Sequence, residues 1–434
     1  MFLDPVSRPE TIFTYGAPAL KFGTGARFEI VADIAKYSPR RVLFVTDKNL
    51  MSSGHIEEIV DSLAAAGSQV VIFDDVRIEP TDVSVQAAVD FARSSGPFDV
   101  VIAVGGGSVI DTAKAMNLMV TNPGELMEYV NAPIGDGRPP ANHLLPLVAV
   151  PTTTGTGSES TTICVLDITE QRVKTGISHA MLRPTVAVVD PTLTVTQPAL
   201  VTAASGLDVL CHALESYTAR GYTSYEAKTP QQRVPYCGSN PISDQWSEQA
   251  LSLLSGAFRA AVSDGSNVQA REQMALAATF AGLGFGNAGV HIPHANAYPI
   301  ASQVGDYWPR DYPARTEAHA HGLVPHGMAV SQTAPAAFRF TFEASPERHI
   351  RAAQLLVPNA QMPDDPAEFL PQVLTQIMRD VGMPSGLAEL GFTADDIPEL
   401  TEGTLKQQRL LSTAPRIVRD EDVETILSES IELW

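Results

Sequence analysis

The chain reads as two successive folds, an α/β half over residues 1–199 and an all-helical half over 200–434. Three observations carry this reading. Short β-branched runs alternate with helical spacing up to about residue 200, the pattern of βαβ units and a parallel sheet. Beyond that point strand signals vanish and helical periodicity takes over. The densest glycine cluster, Gly105-Gly106-Gly107, stands where an apolar run of strand length meets a helical stretch.

The elements follow in order. Residues 41–46 form a β-branched run, helical spacing appears at Ile56, Ile59, Val60 and Leu63, and residues 70–73 form a second strand. Residues 85–92 read as a helix, and 99–104 as a continuous apolar strand of the kind buried on both faces of a parallel sheet. Residues 147–150 and 186–189 read the same way. In the second half, 244–263, 267–283, 347–356 and 366–381 show helical periodicity. Two polar, Pro-bearing stretches, 221–242 and 302–325, read as long loops, which in a compact domain are usually functional.

Composition narrows the function classes. With 434 residues the prior is roughly two or three domains. A net charge of −20 disfavours nucleic acid and anionic membranes as partners. Cys164, Cys211 and Cys237 have no paired spacing, which argues against a disulfide framework and fits a reducing cytoplasm. No apolar run approaches the roughly 18 residues that span a bilayer, and the start Met1-Phe2-Leu3-Asp4-Pro5 lacks the layout of a secretory signal. A cytoplasmic, soluble chain is expected.

Asp208 and His212 lie four apart in a helical stretch and so share one helix face. Leu207, Leu210, Cys211 and Leu214 form the inward apolar stripe, which puts the Asp/His pair at its rim. His294 and His326 are the candidates to complete a metal site. One carboxylate and three imidazoles suit Fe(II) or Zn(II), and ligand softness does not choose between them. The bland alternative is an Asp/His hydrogen bond on a helix surface.

Glycines argue a nucleotide site. Gly105, Gly106 and Gly107 let the backbone turn tightly and approach a ligand, and the helix opening at Ser108 offers free amides and a positive dipole end. The pattern is neither a G-x-G-x-x-G fingerprint nor a P-loop. After strand 147–150 comes a second small-residue loop, Pro151 to Glu159, whose Thr152, Thr153 and Thr156 can bond phosphate, ribose or an amide. Asp47, at the end of the first strand, can accept from a ribose diol and repel a 2′-phosphate, favouring NAD over NADP.

Taken together, Gly105-Gly106-Gly107-Ser108 with Asp111 and Lys114, Pro151-Thr152-Thr153 with Gly155-Thr156-Gly157-Ser158-Glu159, Asp208…His212, His294 and Pro325-His326-Gly327 resemble the iron-containing (group III) alcohol dehydrogenases. The resemblance runs along essentially the whole chain. Within the family, 76–82, 208–217, 238–244 and 284–291 are most similar to the hydroxyacid–oxoacid transhydrogenase branch. The resemblance implies a fold of the dehydroquinate synthase-like type, with the active site in a cleft between the two domains. It implies a metal, Fe(II) or else Zn(II), on Asp208, His212, His294 and His326. It implies NAD against Asp47, Gly105 to Ser108, Asp111, Thr152, Thr153, Thr156 and Lys174. The expected activity is hydride transfer between a hydroxyacid or alcohol and a nicotinamide cofactor or oxoacid, of the 4-hydroxybutyrate/2-oxoglutarate type, by a homodimer. A plain NAD(P)-dependent alcohol dehydrogenase or a maleylacetate reductase is the alternative. A lyase or cyclase like dehydroquinate synthase would need a dense Lys/Arg set that the helical half lacks.

Three departures stand out. Many family members carry a histidine four residues after the third ligand as a proton relay; here that position is Tyr298, the candidate relay residue. The usual His-Gly-Met/Leu is His294-Ala295-Asn296. The mitochondrial presequence of animal transhydrogenases is not seen. For a substrate carboxylate, Arg220, Arg233, Arg310 and Arg315 are the cations in or beside the loops, each expected to be solvated.

Overall fold

The computed structural model describes residues 8–171, 173–312, 315 and 322–434. The chain start at Met1 to Pro5 and part of the 302–325 loop therefore lie outside the described residues. The chain divides into two compact units, one of residues 17–197 with 264–275, the other of the segment ending at Gly16 with 198–263 and 276–434.

These bounds correct the simple division at 199/200. The N-terminal segment joins the helical unit through backbone bonds: Pro9 bridges Glu226, and the Glu10 amide donates to Tyr225 O at 2.8 Å. Residues 264–275 join the α/β unit, where the buried Arg271 guanidinium donates to Gln197 O at 2.8 Å. Local pattern carries no record of such distant partners.

In the α/β unit, β1 (Ala19–Phe22), β2 (Arg41–Val45), β3 (Gln69–Phe73), β4 (Val100–Gly105), β5 (Leu147–Pro151) and β8 (Val186–Val189) form one parallel sheet in the order β1-β8-β5-β4-β2-β3. Both faces are covered. Val42, Phe44, Ile102 and Val148 pack on one side against Ile30, Ile56, Ile59 and Leu63. Leu43, Val45, Val101 and Ala103 pack on the other against Ala88, Val109, Ile110 and Ala113. Burial on both sides is why these strands read as unbroken apolar runs. β1 has an exposed, edge-strand pattern too short to announce itself, and β6 (Ile163–Ile168) pairs with β7 (Val173–Ser178) as a separate antiparallel hairpin.

The chain leaves β2 for β3 in one direction and continues from β4 to β5 and β8 in the other. The topological switch lies between β2 and β4, where α/β sheets bind ligands at their carboxyl ends. Val45 pairs with Ala103, so Asp47 and Gly105 stand two residues beyond that pair on neighbouring strands.

The helical unit is built around Ala199–Thr218, which packs on Pro241–Ser263 and His326–Thr341. This corrects the placement of Asp208 and His212 at a rim. Leu207, Asp208, Cys211 and His212 are all buried, so the helix is enclosed all round. Among the described residues no strand follows 200, and no single helix is long and apolar enough to cross a membrane.

Candidate metal centre and nucleotide site

Asp208 and His212 come from one face of Ala199–Thr218, His294 from the first turn of Ile292–Gln303, and His326 opens His326–Thr341. The structure brings all four together. The Nε2 atoms of His212, His294 and His326 lie 3.6, 3.5 and 3.8 Å from a single oxygen, Asp208 Oδ1. Gly327 is what lets the last ligand in. A Cβ there would stand 2.0 Å from Ala204 O and 2.7 Å from Asp208 Cβ, so only glycine allows this helix start to rest on the Asp208 turn.

One determinant carried no role in the sequence reading. Glu215, fully buried, accepts the His291 amide at 2.8 Å and the His294 amide at 3.2 Å through Oε1, while Oε2 takes the His294 Nδ1 proton. It sits seven residues after Asp208 and three after His212, on the same helix face, which was the available signal. With Nδ1 protonated, His294 turns its Nε2 lone pair toward the Asp208 carboxylate, and both atoms are buried without a hydrogen-bond partner. Two acceptors facing each other call for a cation between them, since each buried orphan costs about 1–3 kcal/mol. The donor set fits a divalent ion: Asp208, His294 and His326 bring ligand atoms within 4.8 Å of one another, and His212 Nε2 adds a contact 3.6 Å from Asp208 Oδ1.

The electrostatics agree. Burial opposes ionisation of Asp208, yet the surrounding imidazoles outweigh it and hold the carboxyl well below the usual range. Burial also opposes a charge on His294, but Glu215 and Asp208 push it up to about 9, so without a metal a proton on Nε2 would stand between the ring and Asp208, in the place a divalent ion would take. His212, by contrast, is pushed down to about 3 by burial and lies stacked on Phe285 at 3.8 Å. His291 is turned away, with Nε2 on Thr218 Oγ1 at 3.0 Å. Tyr298 is buried one turn after His294, its ring 6.3 Å from that of His326. Asn296 ties its helix to its neighbours through Thr333 and Thr404, both at 3.1 Å. Arg233 pairs with Glu10, Arg220 is held by Ser224 and stacks on Tyr225, Arg310 is exposed beside Asp311, and Arg315 pairs with Asp306.

In the α/β unit the two small-residue loops meet. Thr152 N donates to Gly105 O at 3.1 Å. A Cβ on Gly107 would stand 2.6 Å from Thr156, so loop contact requires glycine there, while one on Gly106 would make a tight 3.3 Å contact with Thr153. A Cβ on Gly105 would meet Val109 at 2.4 Å, across the turn into Gly107–Thr121. Ser108 Oγ accepts from Glu79 N at 3.2 Å; Glu79 holds a left-handed φ of 54° and pairs with Lys174. Asp47 caps Lys48–Met51 by accepting from Asn49 and Leu50 amides. Asp111 faces inward, bonded to Ser158 Oγ and the Val165 amide.

A parallel sheet with glycines at its switch point and a Asp-His₃ cluster in an all-helical unit define a class, a metal-dependent oxidoreductase. Family models agree: "Iron-containing alcohol dehydrogenase" matches residues 17–191, and "Fe-containing alcohol dehydrogenase family, C-terminal" matches 235–305 and 317–431. The mouse (Mus musculus) mitochondrial hydroxyacid-oxoacid transhydrogenase is 43% identical, over 97% of this chain and 90% of its own. The Homo sapiens protein of that name is 40% identical over the same shares. Among solved structures, 1,3-propanediol oxidoreductase aligns with a TM-score of 0.82 and 31% identity, over 97% of this chain and 100% of that one. Sulfoacetaldehyde reductase from Bifidobacterium kashiwanohense, in complex with NAD+, aligns at 0.76 with 25% identity, over 97% and 99%. The chain belongs to the iron-containing alcohol dehydrogenase family and is an enzyme.

Proposed function

We propose that this enzyme is a hydroxyacid–oxoacid transhydrogenase working with bound NAD. The carrying observation is similarity at 40–43% identity to mitochondrial transhydrogenases across both units, above the 31% shared with 1,3-propanediol oxidoreductase. In each cycle a hydroxyacid gives up a hydride from its carbinol carbon and a proton from its hydroxyl. An oxoacid, of the 2-oxoglutarate type when the donor is 4-hydroxybutyrate, gains both.

A bound divalent ion would supply Lewis-acid polarisation of the substrate C–O bond, and a bound nicotinamide would supply hydride-carrying capacity. The chain's own residues do the rest. Asp208, His212, His294 and His326 hold the ion, and Glu215 orients His294 for it. Tyr298, whose ring lies 6.3 Å from that of His326, is the proposed relay for the alcohol proton. Asp47 at the β2 end selects NAD, because a carboxylate there bonds a ribose diol and repels a 2′-phosphate.

The test is a substrate-pair assay. Deuterium from a hydroxyacid labelled at its carbinol carbon should appear in the product of the oxoacid without washing out into added NADH. Ping-pong kinetics and co-purifying nucleotide should accompany it. A nucleotide-free protein that turns over added NAD with a plain alcohol at a steady rate overturns the proposal. The cytoplasm belongs to the same proposal; the relatives' names say mitochondrial, and cell fractionation decides.

A further inference from the structure

Behind the two nucleotide loops lies a charge that the metal chemistry does not use. Lys114, on Gly107–Thr121, is wholly buried. Its ammonium spends all three protons, donating to Ser158 Oγ at 2.8 Å, Thr161 Oγ1 at 3.0 Å and Ile163 O at 2.7 Å. Asp111, one turn earlier and 3.8 Å from Lys114 Nζ, accepts from the Ser158 hydroxyl and from Val165 N at 2.9 Å. One face of this helix thus grips the loop from 158 to 163 and the start of β6. The same helix begins at Gly107, against Thr156.

Stability alone does not explain such a choice. Burying an ammonium costs several kcal/mol before its partners offset it, and an apolar side chain of similar shape would fill the same space without that cost. What the ammonium adds is direction. Three fixed bonds tie down a buried loop of small and polar residues that contains Gly155 and Gly157, the latter at φ 60°.

We propose that Lys114 and Asp111 are positioning residues for nicotinamide-nucleotide binding. They act through Ser158 to hold Thr152, Thr153 and Thr156 at a set spacing from the Gly105–Gly107 turn. This rests on the reading that the nucleotide binds at these strand ends. Neither side chain touches the cofactor. Asp111 therefore changes role, from nucleotide contact to loop anchor.

The experiment titrates nucleotide-stripped, metal-loaded protein with NAD by calorimetry, for wild type, Lys114→Met, Ser158→Ala and the double variant. Lys114→Met should weaken NAD binding about tenfold, the loss expected when a charge-assisted hydrogen bond is removed. Metal content should be unchanged, and kcat at saturating NAD should stay within about twofold while KM for NAD rises, since binding is lost equally in the ground and transition states. The double variant should be no worse than the worse single, because both changes cut the same link. Leu63→Ala, a core truncation under the opposite face of the sheet, should lower the melting temperature without moving NAD affinity. Should Lys114→Met fail to fold, Ser158→Ala alone should still weaken NAD severalfold. The inference is overturned if the Lys114→Met and Ser158→Ala affinities equal wild type, or if Leu63→Ala weakens NAD as much. A wild type that binds neither NAD nor NADP overturns the nucleotide reading, and this inference with it.

Discussion

Replacing Glu215 by Gln should weaken metal binding about 10–100-fold without unfolding the protein. Its two oxygens serve three donors, the His291 and His294 amides on one and the His294 ring on the other. Alanine would leave all three buried and unpaired, at about 1–3 kcal/mol each, which approaches the whole stability of a domain. Glutamine keeps a carbonyl oxygen for the two amides. Its NH₂ then faces His294 Nδ1 and favours the ring with its proton on Nε2, the atom aimed at Asp208. That proton occupies the lone pair the metal needs. Losing such an outer partner costs about 10–100-fold in metal affinity, or roughly 1.4–2.8 kcal/mol. Competition of Fe(II) or Zn(II) against a chelator, alongside circular dichroism, measures it. Wild-type affinity in a folded Glu215→Gln protein would refute the argument that Glu215 sets the His294 tautomer.

Other outcomes follow from the same geometry. His294→Ala and His326→Ala should lose both bound metal and activity, while His291→Ala, whose ring bonds Thr218, should keep its metal by elemental analysis; the reverse pattern would shift the ligand register. Asp47→Ser should raise the kcat/KM ratio for NADP over NAD by about tenfold, because serine preserves the cap on Lys48–Met51 while removing the charge. A wild type that already prefers NADP would contradict this. Burial pushes the Glu159 carboxyl up to about 7, so the folded state binds this proton more tightly than the unfolded one. The resulting stability is complete below the ordinary value of 4.5 and is lost as pH rises through about 7, on the order of 3 kcal/mol in total. Glu159→Gln should flatten the pH dependence of the melting temperature between pH 5 and 7.5, and an unchanged slope would count against it.

The buried strands were legible because burial on both faces leaves an unbroken apolar run, as in 99–104 and 147–150. Asp208 and His212 were legible as a pair because a helix repeats every three to four residues. β1 and the β6–β7 hairpin escaped notice, the first being short and exposed at an edge, the second set apart from the main sheet. Asp111 was read as a nucleotide contact because it lies in a glycine motif, yet its side chain turns toward Ser158 and Val165.

By itself, then, the sequence determined what depends on local period and residue chemistry: a parallel α/β half, a helical half, glycines at a strand end and four metal-type side chains. Tertiary structure alone decided which distant groups meet. It set three imidazoles around one oxygen of Asp208, brought Glu215 to a histidine 79 residues away, placed the segment ending at Gly16 with the helical unit, and gave Lys114 partners 44, 47 and 49 residues along. The reason is physical. A local pattern records which face of an element is buried, whereas the partner across that face is fixed by close packing of the whole unit.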